Sequence, residues 1–146
     1  MNNVLILVFD EHPLIRYAVK NLIVKRGWQF LDTGCQKKTL KLISTYKPNL
    51  IILDILMQGC LGLNYIKKIR QLSPTSKVLV FSSLLPTFFI KRCLEIDVNG
   101  YVYKKDALYN LDGAIDAVLT GHCCFPDIDV NGEDSRLPLG MYYHEE

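Results

Sequence analysis

The sequence lacks an apolar run long enough to cross a membrane. Its longest unbroken apolar segment, at residues 4–9, is far shorter than the roughly 18 residues of a transmembrane helix. The first residues also lack the basic stretch and the small-residue cleavage site of a secretory signal peptide. We therefore expect a cytoplasmic protein without membrane contact.

Cysteine pairs with the spacing of a metal site are also missing. The five cysteines are scattered, and the sequence contains no C-x-x-C pair. This pattern favours reduced thiols over disulfide bonds or a zinc site. Internal repeats and low-complexity segments are absent too, and 146 residues suffice for one domain with a hydrophobic core.

Charge is distributed unevenly along the chain. Residues 1–126 carry 16 Lys and Arg against 9 Asp and Glu, a net charge of +7, whereas residues 127–146 carry a net charge of −5. A basic body suits an acidic or phosphorylated partner, although a solvated helix surface explains such a charge equally well. After Pro126 the hydrophobic pattern gives way to Asp, Gly, Asn and Pro. We predict one domain over residues 1–126, followed by an acidic tail or linker stub over residues 127–146 that we expect to be poorly ordered.

Strand patterns alternate with helical patterns five times along the chain. The strongest strand patterns are unbroken apolar runs at residues 4–9, 50–53 and 78–81, and weaker ones lie at residues 28–31 and 101–103. Such runs are typical of strands that are buried on both faces. The alternation predicts an α/β fold with a doubly wound, five-stranded parallel sheet.

Polar side chains follow four of the predicted strands at their carboxyl ends. They are Asp10 with Glu11, Asp54, Ser82 and Lys104. Because the carboxyl ends of parallel strands share one edge of the sheet, we expect these side chains to converge in one pocket. Three carboxylates at close range need a compensating cation, and oxygen ligands without His or Cys select a hard ion such as Mg²⁺. An aspartate in such a pocket can act as a nucleophile and form an aspartyl phosphate.

Four short motifs give the chain a family resemblance. They are Asp10-Glu11-His12-Pro13, Asp54 with Met57 and Gly62, Ser82-Ser83, and Gly100-Tyr101-Val102-Tyr103-Lys104. Over residues 4–126 the chain resembles a CheY-like response-regulator receiver domain of two-component signalling. It is most similar to the receivers of LuxR/FixJ-type transcriptional regulators. The resemblance implies a flavodoxin-like (βα)5 fold with the strand order 2-1-3-4-5.

The resemblance also implies roles for the residues of the predicted pocket. Asp54 would accept a phosphoryl group from a histidine kinase, so the chain would be a phosphoprotein of a phosphorelay rather than a turnover enzyme. Mg²⁺ would be held by Asp10, Glu11, Asp54 and the backbone carbonyl of Leu56.

Three further residues would complete the switch that the resemblance implies. Lys104 would contact the phosphoryl group, Ser82 would move toward it, and Tyr101 would turn inward. The surface of the fourth helix, fifth strand and fifth helix would then change its affinity for partners.

The expected partners follow from the same resemblance. They are a histidine kinase and a second copy of the chain, bound through the switching surface or through the first and fifth helices. The expected output is control of transcription through an output domain absent from this chain. We expect no direct contact with nucleic acid, because the sequence contains no motif that reads DNA.

Two other interpretations stay open at this point. Glu11 stands where the family usually has Asp, and Gln58 replaces its usual proline, so a receiver that has lost phosphorylation and serves as an interaction module also fits. A phosphatase of the haloacid-dehalogenase type would combine Asp, Ser or Thr, Lys and Mg²⁺ as well. That class carries a second Asp two residues after its nucleophile on the first strand, where this chain has His12.

Overall fold

The fold is described from a computed structural model over residues 3–57, 60–106, 108–126 and 143–145. The strands are β1 (Leu5–Phe9), β2 (Gln29–Thr33), β3 (Leu50–Leu53), β4 (Leu56–Met57), β5 (Cys60–Leu61), β6 (Lys77–Ser82), β7 (Gly100–Tyr103), β8 (Cys124–Pro126) and β9 (Tyr143–Glu145). The helices are α1 (Pro13–Val24), α2 (Gln36–Tyr46), α3 (Leu63–Leu72), α4 (Pro86–Glu95) and α5 (Leu108–Leu119).

Within the described ranges, seven strands form one sheet in the order β2-β1-β3-β6-β7-β8-β9. Neighbouring strands run parallel from β2 to β8, and β9 runs antiparallel to β8. The predicted α/β architecture with a parallel sheet is therefore confirmed. The prediction of only five strands is wrong, because β8 and β9 extend the sheet beyond β7. The short strands β4 and β5 form a separate antiparallel ribbon.

Gly100 explains how the sheet continues past β7. It pairs with Cys124 of β8. A Cβ atom at position 100 would lie 2.9 Å from the carbonyl oxygen of Cys124 and 2.6 Å from Cδ1 of Leu79. Any side chain here would therefore push β8 away from the sheet. The last strand pattern in the sequence lies at residues 101–103, and so β8 was missing from the predicted sheet.

Helices cover both faces of the sheet. Successive residues of β1 point to opposite faces, with Leu7 and Phe9 in one hydrophobic cluster and Ile6 and Val8 in the other. The first cluster includes side chains of α2, α3 and α4, and the second includes side chains of α1 and α5. The sheet is therefore doubly wound, and the carboxyl ends of β1, β3, β6 and β7 lie at one edge.

The predicted tail is described only in part. Residues 127–142 and 146 lie outside the described residues. Tyr143–Glu145 form β9, whose register with β8 pairs Cys124 with Glu145 and Phe125 with His144. The last strand of the sheet is therefore built from residues that lie beyond Pro126 in the sequence.

Two further observations concern the predictions on membranes and cysteines. No helix of the described ranges has both the length and the apolar composition that a bilayer crossing requires. Cys35, Cys93 and Cys123 have free thiols. Burial raises the pKa of the Cys93 thiol to about 12, so this thiol is protonated at neutral pH.

Candidate functional site

Two buried aspartates and one lysine meet at the carboxyl edge of the sheet. Asp10 follows β1 and Asp54 follows β3, with 3% and 5% of their surfaces exposed. The Nζ atom of Lys104, which follows β7, lies 2.7 Å from Oδ2 of Asp10 and 2.8 Å from Oδ2 of Asp54. The structure therefore brings these three predicted site residues together in one pocket, in which a single ammonium group bridges two carboxylates.

Backbone hydrogen bonds continue the sheet into this pocket. The Asp54 N–H donates to the carbonyl oxygen of Phe9 at 3.3 Å, and the Lys104 N–H donates to that of Ser82 at 2.7 Å. The residues just beyond the strands are therefore held in register with their neighbours. This explains why side chains that are up to 94 positions apart in the sequence reach hydrogen-bonding distance.

The charge state of Lys104 follows from its surroundings. Burial alone would lower the pKa of Lys104, but hydrogen bonds and charge attraction from Asp10 and Asp54 outweigh burial and raise that pKa above its ordinary value. The Lys104 amine is therefore protonated and positively charged at neutral pH. It compensates part of the negative charge that the two buried carboxylates bring into the pocket.

The second oxygen of each carboxylate also has a partner. Oδ1 of Asp10 accepts hydrogen bonds from the backbone N–H of His12 at 2.9 Å and contacts Nδ1 of His12 at 2.9 Å. Oδ1 of Asp54 accepts a hydrogen bond from the backbone N–H of Leu56 at 2.9 Å. His12 is the N-cap residue of α1, and its side chain is 69% exposed. The carboxylates are therefore fixed by the loops that follow their own strands.

The donor set of this pocket is suited to a divalent cation. Ligand atoms of Asp10, His12 and Asp54 all lie within 4.8 Å of one another. Two carboxylates at this distance favour a hard cation, since oxygen is the ligand that such ions prefer. The predicted ligand Glu11 is exposed and does not belong to this group. Gln58, whose replacement of a proline bears on the predicted metal loop, lies outside the described residues.

The predicted switch residues lie beside the pocket, on β6 and β7. Ser82 is fully buried, and its Oγ accepts a hydrogen bond from the backbone N–H of Leu84 at 3.1 Å. Tyr101 is also fully buried, and its hydroxyl donates to the carbonyl oxygen of Leu84 at 2.8 Å. The Tyr101 ring is therefore enclosed by the protein, and its hydroxyl is bonded to the loop that leads into α4.

Sequence reasoning missed two contacts that hold Asp10. The ring of His12, the N-cap residue of α1, contacts the Asp10 carboxylate. Arg16 of α1 was not singled out, and its Nη1 donates a hydrogen bond to the carbonyl oxygen of Asp10 at 2.6 Å. The sequence signal for Arg16 is indirect: Gly34 follows β2 at the point where the guanidinium group needs space.

Fold and pocket together define a class, namely doubly wound α/β domains with a buried aspartate pair and a lysine at the carboxyl edge of the sheet. The chain belongs to the response regulator receiver domain family, whose model matches residues 6–116. It is a receiver domain of the two-component response regulators. This membership does not favour the alternative of a haloacid-dehalogenase-type phosphatase.

Two relatives are transcription regulators by name. The chain is 34% identical over 122 residues to the transcription regulator BvgA of Bordetella pertussis, an alignment that covers 83% of this chain and 58% of BvgA. It is 28% identical over 121 residues to the DNA-binding transcriptional activator EvgA of Escherichia coli K12, with 82% of this chain and 59% of EvgA covered. The chain thus spans less than two thirds of the length of these relatives.

Solved structures support the same fold. A LuxR-family two-component response regulator from Aurantimonas sp. SI85-9A1 is similar with a TM-score of 0.74 and 26% identity, over 82% of this chain and 86% of that one. RcsB from Salmonella enterica serovar Typhimurium, bound to a promoter, also has a TM-score of 0.74, over 82% of this chain and 61% of RcsB. At 20% identity, the likeness to RcsB concerns the fold alone.

Proposed function

We propose that Asp54 accepts a phosphoryl group from a histidine kinase and that the chain is the receiver of a transcription regulator. The observation that carries the proposal is the pair of short contacts from Lys104 Nζ to Asp54 and Asp10, at 2.8 Å and 2.7 Å. An ammonium group held beside a buried carboxylate can contact a phosphoryl oxygen attached to that carboxylate. The family membership and the transcription regulators among the relatives support the same function.

The transfer step needs little covalent machinery from the protein. An oxygen of the Asp54 carboxylate attacks phosphorus, the new O–P bond forms as the P–N bond of the phosphohistidine breaks, and the histidine leaves with the bonding electrons and takes up a proton. Lys104 would stabilise the charge on the phosphoryl oxygens, and Ser82 would supply a hydroxyl donor to them. In the structure Ser82 Oγ accepts a hydrogen bond from the Leu84 N–H, which leaves the proton of the Ser82 hydroxyl available for donation.

The residues of the pocket fit a magnesium ion. Asp10, Asp54 and the backbone carbonyl of Leu56 would hold Mg²⁺ directly, and Glu11, which is exposed, would act through a bound water. When bound, Mg²⁺ would neutralise charge that develops on the phosphoryl group. Lys104 offsets part of the charge of the same two carboxylates.

Phosphorylation would act on partners through a surface made of α4, β7 and α5. Tyr101 lies on β7, and its hydroxyl contacts the loop that leads into α4, so the state of the pocket can reach this surface. A second copy of the chain would bind through this surface or through α1 and α5. One solved structure of RcsB, a structural neighbour, contains two RcsB dimers bound to two parallel DNAs. DNA binding would belong to an output domain outside residues 1–126, and the domain would work in the cytoplasm.

Phosphorylation by a small-molecule donor tests this proposal. After incubation with acetyl phosphate and Mg²⁺, intact-mass spectrometry should detect one added phosphoryl group on the wild-type chain and none on Asp54→Asn. Asp97→Asn is the matched control, because Asp97 is exposed and its φ of +67° suits asparagine. This control should take up phosphate like the wild type. Omission of Mg²⁺ should slow the uptake strongly.

The same experiment separates the proposal from its alternative. A wild-type chain that never gains mass would indicate a receiver that has lost phosphorylation and acts through protein contacts alone. Uptake by Asp54→Asn equal to that of the wild type would move the acceptor to another residue. Either result would overturn the proposal.

A further inference from the structure

Arg16 connects helix α1 to two other parts of the fold. Its Nη1 donates a hydrogen bond to the backbone carbonyl oxygen of Asp10 at 2.6 Å. Its Nε lies 2.9 Å from Oδ2 of Asp32, near the end of β2. The Arg16 side chain is only 20% exposed, so the guanidinium group is inserted between the β1–α1 loop and the end of β2.

Gly34 provides the space that Arg16 occupies. A Cβ atom at position 34 would lie 2.8 Å from Nη1 of Arg16 and 3.4 Å from the carbonyl oxygen of Asp10. Gly34 does not have a left-handed φ, unlike Gly27 and Gly121, so its backbone conformation would accept an alanine. The absence of a side chain at Gly34 therefore leaves room for the guanidinium group of Arg16. A Cβ atom at position 34 would displace this group, which is the mobile end of a long side chain.

The backbone of Asp10 is held on two sides as a result. Its N–H donates to the carbonyl oxygen of Thr33 at 3.2 Å, and its carbonyl oxygen accepts from Arg16. With both backbone groups fixed, the Asp10 side chain has little freedom at the point where it contacts Lys104. The end of β2, through Thr33 and Asp32, thus helps to set the position of a pocket carboxylate.

The geometry points to Arg16 as a positioning residue for the phosphoacceptor pocket. Gly34 leaves the space in which the Arg16 guanidinium group lies. This inference rests on the proposed function, because the pocket that Arg16 orders is the one assigned to Mg²⁺ and the phosphoryl group. Arg16 does not contact the reacting atoms. It holds the peptide of Asp10, so that the Asp10 carboxylate stays at a fixed distance from Lys104 and Asp54.

Substitution of Arg16 should weaken Mg²⁺ binding in the pocket without abolishing it. Arg16→Ala should raise the dissociation constant for Mg²⁺, measured by calorimetry, roughly tenfold or more, as for other residues that orient metal ligands. The initial rate of phosphorylation by acetyl phosphate at limiting Mg²⁺ should fall in parallel. The Mg²⁺ dissociation constant of Arg16→Lys should lie between those of the wild type and Arg16→Ala, because an ammonium group can reach one of the two acceptors but cannot bridge them.

Gly34→Ala tests whether the two residues act as a unit. Alone, it should weaken Mg²⁺ binding as much as Arg16→Ala does, since a methyl group displaces the guanidinium group. In the Arg16→Ala background it should add little, because the guanidinium group is already gone. Effects that add fully in the double variant would contradict the inference, since independent sites are additive.

Arg26→Ala is the matched control. Arg26 lies just beyond the other end of α1 and contacts Asp112, at 2.9 Å, and Asp116, both on α5. It therefore has a comparable role in attaching the helix, but it is not connected to the pocket. This variant should leave the Mg²⁺ dissociation constant unchanged, even where it lowers the free energy of unfolding.

A measurement without metal separates this inference from the proposed function. The NMR resonance of the Asp10 carboxyl carbon should shift in Arg16→Ala and in Gly34→Ala, and should stay in place in Arg26→Ala. If the wild type binds no Mg²⁺ and takes up no phosphate, the proposed function fails while this comparison still decides on Arg16. An unchanged Asp10 resonance in Arg16→Ala, or a shift of equal size in Arg26→Ala, would overturn the inference.

Discussion

The hydroxyl of Tyr101 donates a hydrogen bond to the backbone carbonyl oxygen of Leu84 at 2.8 Å. The N–H of the same residue, Leu84, donates to Oγ of Ser82 at 3.1 Å. The two side chains assigned to the switch are therefore joined through one backbone unit in the loop between β6 and α4. A movement of Ser82 toward the pocket would release Leu84, and this release would reach Tyr101 on β7.

Removal of the Tyr101 hydroxyl should lower the stability of the domain by a measurable amount. Tyr101→Phe leaves the buried ring in place but deprives the Leu84 carbonyl of its donor, which should lower the free energy of unfolding by about 1 kcal/mol. Urea denaturation measures the difference. Tyr46→Phe is the control, because Tyr46 is exposed on α2 and should change stability by less than about 0.5 kcal/mol. Equal effects of the two variants would show that the hydrogen bond to Leu84 contributes nothing.

Loss of the bridging ammonium group should destabilise the domain. Lys104→Met keeps an unbranched side chain that is one atom shorter but leaves the Asp10 and Asp54 carboxylates without their cation. We expect the free energy of unfolding to fall by roughly 3 kcal/mol at neutral pH in the presence of EDTA. Added Mg²⁺ should restore part of that loss by binding to the folded state. The neighbouring exposed Lys105 gives the control variant, Lys105→Met, which should change little. A Lys104→Met variant as stable as Lys105→Met would contradict the account of the bridge.

Two leucines beside the pocket should slow the loss of the phosphoryl group. Leu56 and Leu84 stand two residues after Asp54 and Ser82; Leu56 is 37% exposed and Leu84 is partly buried. Apolar side chains at these positions hinder the approach of the attacking water. The double variant Leu56→Asn with Leu84→Asn should dephosphorylate several times faster than the wild type, as followed by intact mass. Leu94→Asn, at an exposed position on α4, should leave the rate unchanged. An unaltered rate in the double variant would refute this role of the leucines.

The stability of the domain should depend on Tyr65 at high pH. The Tyr65 hydroxyl donates to the carbonyl oxygen of Gln36 at 2.6 Å, and burial raises the pKa of Tyr65 to about 12. The unfolded chain loses this proton near pH 10, so the contribution of Tyr65 is complete below about pH 10 and is lost as the pH rises toward 12.

The matching experiment compares the wild type with Tyr65→Phe in urea denaturation across this pH range. Between pH 10 and 12 the wild type should lose up to about 2 kcal/mol more than the variant. Titration of Lys104 occurs in both proteins and cancels in the comparison. Parallel pH profiles would indicate that Tyr65 ionises equally easily in the folded and unfolded chains.

The core strands of the fold could be predicted from the sequence because burial on both faces leaves a strong local signal. The run that became β3 is fully buried along its length. The predicted strand at residues 28–31 was weaker because β2 is an edge strand with a mixed burial pattern, and it lies at Gln29–Thr33. The strands β8 and β9 have three residues each, and they pair with each other although they are well separated in the sequence. Strands this short show no periodic pattern from which they could be predicted.

The pocket was predictable to the extent that strand ends determine it. Asp10, Asp54 and Lys104 each directly follow a core strand, and parallel pairing brings them together. Glu11 is exposed whereas its neighbour Asp10 is buried, and no local pattern in the sequence indicated which of the two would be buried. The contact between Arg16 and Asp10 depends on the packing of α1 against the end of β2, which no local pattern encodes.

Mapping the phosphorylated residue tests the central claim most directly. Borohydride reduces an aspartyl phosphate to homoserine, which tandem mass spectrometry of a digest can locate in the sequence. After treatment with acetyl phosphate and Mg²⁺, we predict homoserine at position 54 alone. Homoserine at Asp10 or at a surface aspartate, or its absence from every peptide, would contradict the assignment of Asp54 as the phosphoacceptor.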